Sequence, residues 1–292
     1  MIWPRLFLLF LTLSGVSCQH KFSGSESETL RDDAILRSRR AASMDVWKDK
    51  TIKGFTPSAY APLATAMVLP PDAKVKLQQT KVDGNTTKLV LKAKGKDLSA
   101  GSAVPITGDG YFLTAAHNTD DFSHVLLAVP LKSKTFGVAR ARVVWRSAPA
   151  GKGADIALLH APLLPFAPLT MAAPDTLLTG MPVLICGYSG NNPTPAGGKI
   201  LSLSEPATDA SGAVWQQIRH SAPVNGGDSG GAIIGPEGQL LGITTSIHYR
   251  FVYPFGIKRH WAYKGLAAAL DPEWIQALIN KDRARRKSKR PT

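Results

Sequence analysis

The pattern of apolar and polar residues changes character twice along this chain. Residues 19–58 mix polar and charged positions without a sustained period. From about Val75 the sequence breaks into short β-rich runs separated by Gly, Pro, Asp and Asn. These runs predict strands at Val75–Val82, Lys88–Lys92, Gly101–Ile106, Tyr111–Leu113, His124–Val129, Val138–Trp145 and Asp155–His160. Further strands are predicted at Pro182–Tyr188, Lys199–Leu203, Val214–Arg219, Gly231–Ile234 and Gln239–His248. Many short strands with turn signals and few helical periods indicate an all-β barrel or sandwich. The end differs. Asp271 offers an N-cap, Pro272 stands at the first helical position, and Trp274, Ile275 and Leu278 share a face, so a C-terminal helix is expected.

At the other end, Arg5 precedes the apolar run Leu6–Leu13 and the small residues Ser14 to Ser17. That order is the layout of a secretory signal peptide, with an apolar run too short for a membrane span. The expected organisation is a signal peptide at 1–18, a linker or pro-segment at 19–74, the β domain at 75–272, and the helix with a basic tail at 273–292. An exported protein follows, periplasmic or secreted. Gly15-Val16-Ser17-Cys18 loosely resembles a lipidation motif, so anchoring through Cys18 is the alternative and the only membrane contact expected.

Composition is ordinary globular and the length suits one large domain or two small ones: 292 residues, 44% hydrophobic and 19% charged, with 26 Gly and 21 Pro arguing against a helical bundle. The formal charge of +14 suggests a polyanion until its distribution is read. Residues 101–280 are nearly neutral, whereas 51–100 and the stretch from Lys281 are strongly basic. No specific nucleic acid is therefore expected. The basic C-terminal tail reads as a solvated segment or a contact for an anionic surface. Only Cys18 and Cys186 carry thiols, so no disulfide framework exists, and Cys186 within Met181–Cys186 reads as a small buried hydrophobe.

The chemistry concentrates at Gly227-Asp228-Ser229-Gly230-Gly231. A serine becomes a useful nucleophile only when a base takes its proton, and acyl transfer needs donors for the developing oxyanion. Glycines permit a tight turn in which the N–H groups of Gly227 and Ser229 face one small site. An α/β-hydrolase would need an acid and then a histidine after the serine on a strand–helix alternation, and the 63 residues that follow Ser229 show no such alternation. Upstream, Tyr111 to Ala116 is a strand ending in small residues before His117. Asp155 heads the apolar strand that continues through Ile156 to Leu159. The expected roles are His117 as general base, Asp155 fixing its tautomer and Ser229 as nucleophile.

The order His–Asp–Ser resembles that of trypsin-like serine peptidases of the chymotrypsin fold, nearest to the bacterial HtrA-type and glutamyl-endopeptidase-like branches. The matching stretches are Gly101–Val104, Gly110–His117, Asp155–Leu159, Gly180–Gly187, Ala222–Gly231, Gly238–Ser246 and Tyr253–Ile257. The resemblance implies a double six-stranded antiparallel β-barrel with a C-terminal helix, the triad in the cleft between barrels, and an oxyanion hole from the N–H groups of Gly227 and Ser229. It also implies protein or peptide substrates and no cofactor or metal. Animal trypsin disulfides are absent, and the stretch after residue 272 is too short for a PDZ-like domain. Arg40-Ala41 lies far before His117, so a new N-terminus reaching Asp228 is not expected, and Asp228 is expected to be satisfied locally.

By the same resemblance, Ala222, Pro223, Val224, Thr244, Thr245 and Ser246 wall the pocket for the P1 residue. Nothing among them pairs with a P1 Lys or Arg, so small or medium apolar P1 residues are expected. His220 and Thr244 offer only a faint version of a glutamyl pocket. The remaining histidines, His20, His124, His160, His248 and His260, show no metal-ligand spacing. Asn85-Thr86-Thr87 is a formal glycosylation sequon. An exported serine endopeptidase is thus the leading expectation. A catalytically silent binding protein of the cell envelope and an esterase on the same scaffold are the alternatives.

Overall fold

The computed structural model describes residues 37–83, 86–94, 101–119, 122–131, 136–149, 152–189, 193–251 and 260–288. The expected leader at 1–18, Cys18, His20, Gly84-Asn85 and Tyr253–Ile257 lie outside the described residues. Two helices open the described chain, α1 over residues 37–43 and α2 at Pro57–Leu63, joined through a 3-10 turn at Met44–Trp47. Strand β1, Ala66–Leu69, follows. The hairpin β2–β3, Lys74–Asp83 and Thr86–Lys94, forms a separate two-stranded sheet.

The first barrel closes from β1 with β4 (Gly101–Pro105), β5 (Tyr111–Ala115), β6 (His124–Pro130), β7 (Phe136–Arg146) and β8 (Ile156–His160). Its circular order is β1-β4-β5-β8-β7-β6, and every pairing is antiparallel. The second barrel uses β9 (Pro182–Gly187), β10 (Thr194–Leu203), β12 (Val214–His220), β13 (Ala232–Ile234), β14 (Leu240–Phe251) and β15 (His260–Leu270). Its order β10-β9-β13-β14-β15-β12 closes through the β10–β12 pairing, and β11, Ala207–Thr208, adds an edge to β12. The fold is thus the expected pair of six-stranded antiparallel barrels, followed by α3 at Pro272–Ser288.

Period-2 alternation sorts each strand between two cores. In β5, Phe112 faces the first barrel's interior with Val68, Val125, Leu127 and Leu159. Its neighbours Tyr111 and Leu113 instead join a second core that also holds Leu184, Cys186, Ala232 and Ile243 from the other barrel. β9 divides likewise, Val183 and Ile185 inward and Leu184 and Cys186 toward the first barrel. Both strands are buried on two faces, which explains why their sequences run apolar without alternation. Burial pushes the Cys186 thiol up to about 12.

Two expected boundaries change. The segment 19–74 was expected to be a linker or pro-segment, and residues 37–74 enter the fold, with Trp47, Ile52 and Tyr60 each 1% exposed. β1 is itself a stave of the first barrel. These apolar residues are isolated plugs against the barrels, so they leave no period to read. The run from Lys281, expected to be a solvated tail, continues α3 to Ser288. Its buried face is Ile275, Ile279 and Asp282, flanked by Trp274, which meets Trp145 edge-on at 4.6 Å. Asp282 accepts from Tyr111 Oη at 3.0 Å and from Arg142 Nη2 at 2.7 Å, while Arg283 pairs with Asp109. Part of the basic run is therefore engaged on the barrel.

Candidate active site

β5 runs into a 3-10 turn, Ala116–Asn118, which presents His117 at the barrel rim. Asp155 stands immediately before β8 with φ 54°, a left-handed conformation that Asp tolerates better than bulkier residues. Its own backbone is held on both sides, because Asp155 N–H donates to Ala148 O at 3.0 Å and Ala116 N–H donates to Asp155 O at 2.8 Å. The carboxylate, 1% exposed, then receives two bonds from one residue. His117 N–H donates to Oδ1 at 3.1 Å, and His117 Nδ1 lies 2.7 Å from Oδ2. Nδ1–H toward a carboxylate leaves Nε2 as the acceptor, the tautomer a general base requires. Nε2 is buried and has no hydrogen-bond partner, so no bond joins it to Ser229 Oγ in this conformation. Such bonds commonly tighten only with substrate in place.

Ser229 sits in the loop between β12 and β13. Gly227 has φ 91°, and a Cβ there would stand 2.0 Å from Tyr188 O. Gly230 has φ 85°, and its Cβ would stand 1.9 Å from Ser102 O. Only glycine fits either position. Asp228 N–H donates to Asn225 O at 3.2 Å, Gly231 N–H to Asp228 O at 2.8 Å, and Gly230 N–H to Thr244 O at 2.7 Å. Among the described residues, the N–H groups of Gly227 and Ser229 have no backbone acceptor.

The first barrel grips this loop through residues that sequence reasoning did not single out. Ser102 N–H and Asn118 Nδ2 both donate to Ser229 O at 2.8 Å. Ser102 Oγ donates to Gly227 O at 2.7 Å and accepts from Tyr188 N–H at 2.8 Å. Thr114 Oγ1 donates to Ser102 O at 2.6 Å and accepts from Asn118 Nδ2 at 3.0 Å. Their only trace in the sequence is a hydroxyl residue in each of two strands that are otherwise apolar, Ser102 in β4 and Thr114 in β5.

Asp228 is not satisfied locally alone. Oδ2 accepts from Asn225 N–H at 2.8 Å, but it also pairs with the guanidinium of Arg40, brought in from α1. Each of these two side chains is 2% exposed. Burial pushes the Asp228 carboxyl above its ordinary value, and the Arg40 charge pulls against it.

The expected pocket residues divide. Ala222 and Val224 pack inside the second barrel with Val183, Ile185 and Ile233 and present no side chain at the surface. Pro223 and Ser246 are half-buried, Thr244 and Thr245 buried. Thr244 serves the serine loop through its backbone, and Thr245 Oγ1 donates to Leu266 O at 3.4 Å. His220 is fully buried against the side-chain-free face of Gly265, and both ring nitrogens lack partners. Burial drives its pKa down to about 4, so it is neutral at pH 7 and offers no charge to an acidic P1 residue. Of the other histidines, His160 packs edge-on against Tyr111 and His124 Nδ1 lies 3.0 Å from Ser123 Oγ.

Residues 101–243 match the trypsin-like peptidase domain family. Among solved structures, the HtrA-type protease AlgW with a decapeptide is 22% identical with a TM-score of 0.51, over 76% of this chain and 66% of that one. AlgW with a tripeptide is 25% identical with a TM-score of 0.52, over 77% and 62%. This chain therefore spans slightly under two thirds of the length of those structures. No curated protein matches it.

Proposed function

We propose, from the trypsin-like peptidase domain that this chain carries across residues 101–243, that the protein is a serine endopeptidase acting through an acyl-enzyme. The observation that carries this reading is the pairing of His117 Nδ1 with the buried Asp155 carboxylate, with Nε2 left without a hydrogen-bond partner, while Asn118 ties the next turn to the Ser229 backbone. His117 Nε2 takes the Ser229 proton as Oγ attacks the scissile carbonyl, and it returns that proton to the leaving amine. The N–H groups of Gly227 and Ser229 receive the oxyanion. Asp155 holds the tautomer and balances the imidazolium.

For P1 we propose small or medium apolar residues, because Pro223 stands where a basic P1 would need an acid and His220 is neutral. Export is part of the same reading, supported by the order of charge, apolar run and small residues at 1–18. N-terminal sequencing of the mature protein tests it.

A second reading, a binding protein without turnover, draws on the absence of a bond from His117 Nε2 in this conformation. Fluorophosphonate labelling of wild type and Ser229→Ala separates the two. Labelling of wild type alone supports the nucleophile. Equal labelling of both overturns the assignment, and no labelling of either favours the binding protein. A peptide-library digest dominated by cleavage after Lys or Arg would refute the pocket reading, and casein hydrolysis distinguishes a peptidase from an esterase.

A further inference from the structure

We infer that Arg40 is a positioning residue for the serine site: its guanidinium, delivered by the N-terminal segment, holds the Asp228 carboxylate and with it the Gly227–Ser229 backbone that aims two N–H groups at the substrate. The inference rests on the reading of Ser229 as nucleophile. It places the control of the oxyanion site in a stretch of chain whose sequence resembles a linker.

The geometry starts with how Arg40 is held. Arg40 Nη2 pairs with Asp228 Oδ2, and Nη1 donates to Thr194 O, at the start of β10, at 2.6 Å. Its backbone is fixed as well, because Ser43 Oγ donates to Arg40 O at 2.7 Å and accepts from Gly197 N–H at 3.0 Å. The Trp47 ring seals the same contact. A Cβ on Gly197 would stand 2.2 Å from Ser43 O and 2.9 Å from the Trp47 ring, so this close seat on β10 requires glycine. The segment is thus anchored by Ser43 and Trp47 and projects one charged side chain inward.

At the other end of the contact, Asp228 directly precedes Ser229 and directly follows Gly227. An unpaired carboxylate in this buried position is costly, so without Arg40 it must take up a proton or turn toward water. Expelling the Asp228 side chain from this buried seat requires the peptides on both sides to shift with it. Gly227, with no Cβ and φ 91°, adds no side chain to resist that rotation, which then competes with the bonds from Ser102 Oγ to Gly227 O and from Gly231 N–H to Asp228 O. The donor displaced directly is the Ser229 N–H, on the peptide that follows Asp228, and the Gly227 N–H, one peptide further back, shifts with the Gly227 backbone. The Asn225 N–H supplies one bond to the carboxylate but no charge.

The test compares Arg40→Met, Arg40→Lys and the double variant Arg40→Met/Asp228→Asn with wild type, in the full chain, by peptide kcat and KM, fluorophosphonate labelling and circular dichroism. Arg40→Met is expected to fold and to lose on the order of 10²–10³-fold in kcat with KM nearly unchanged, the loss typical of a missing oxyanion donor. Its kcat relative to wild type should rise as pH falls, because protonation of Asp228 removes the unpaired charge. Arg40→Lys should fall between the two. The double variant carries no charge to compensate and should recover most of the lost kcat. A wild-type kcat in Arg40→Met, or a folded double variant no better than the single one, overturns the inference and leaves Arg40 a packing residue. If Arg40→Met does not fold, the double variant decides alone: folded and active supports the inference, folded and inert overturns it. A wild-type protein that ignores the fluorophosphonate would instead sink the peptidase reading itself.

Discussion

Asn118 Nδ2 donates to the Ser229 carbonyl at 2.8 Å, so the residue after the candidate base holds the backbone of the candidate nucleophile. Together with Ser102 N–H, which donates to the same carbonyl, this amide side chain ties together groups that lie on different barrels. The same Nδ2 also reaches Thr114 Oγ1 at 3.0 Å, which fixes its orientation.

Asn118→Ala should separate stability from turnover only partly. Loss of a buried bond to Ser229 O costs about 1–2 kcal/mol in urea unfolding. Looser spacing between His117 and Ser229 should lower kcat by roughly tenfold or more with little change in KM. An unchanged kcat would show that Ser102 N–H alone holds the loop.

Asp155→Asn is the cleaner test of tautomer control than Asp155→Ala, because Asn tolerates the φ of 54° seen here. The amide can donate to Nδ1 and so stabilise the wrong tautomer, with Nε2 protonated. Peptide kcat should fall by on the order of 10³–10⁴-fold. Circular dichroism and thermal melting should show a folded protein. A loss under about tenfold would remove Asp155 from its proposed role.

His220 gives a pH signature in stability. Its folded pKa is depressed to about 4 by burial. The unfolded chain binds a proton there below about pH 6.5, and the folded protein does not until near 4, so stability falls as pH drops through that window. The expected slope is about 1.4 kcal/mol per pH unit from this residue. His220→Leu should flatten the urea-unfolding profile between pH 6.5 and 4, and identical slopes in the two proteins would contradict the burial argument.

Truncation of the C-terminal helix should depend on where it is cut. Removing residues 289–292 should leave the melting temperature unchanged. Removing 281–292 deletes Asp282, which Tyr111 and Arg142 hold, and should cost about 2–3 kcal/mol, read as a drop of several degrees. Burial pushes the Asp282 carboxyl up, but the bonds from Arg142 and Tyr111 outweigh it and leave it below its ordinary value. Its contribution is thus present at neutral pH and lost as acidification passes that lowered value. Equal melting of the two truncations would return the whole basic run to the solvent.

What the amino-acid sequence determined by itself was most of the strands, though not β1 or β15, and the order of the chemical groups. Strand period, turn residues and glycine pattern are local properties, and the stretches around His117, Asp155 and Ser229 each carry their own signature. The two-barrel architecture was legible only through the resemblance of those stretches to a known family. Tertiary structure decided the rest. Arg40, Ser102, Thr114 and Asn118 carry no local pattern, because their meaning lies in partners from 12 to 188 positions away. The N-terminal plugs Trp47 and Tyr60 fall in no sustained period, and nothing near them in sequence marks the core they fill. Local periodicity reports which face of an element is buried. Which charges meet across that burial depends on chain closure, and here closure brings a cation from an apparent linker to the carboxylate beside Ser229.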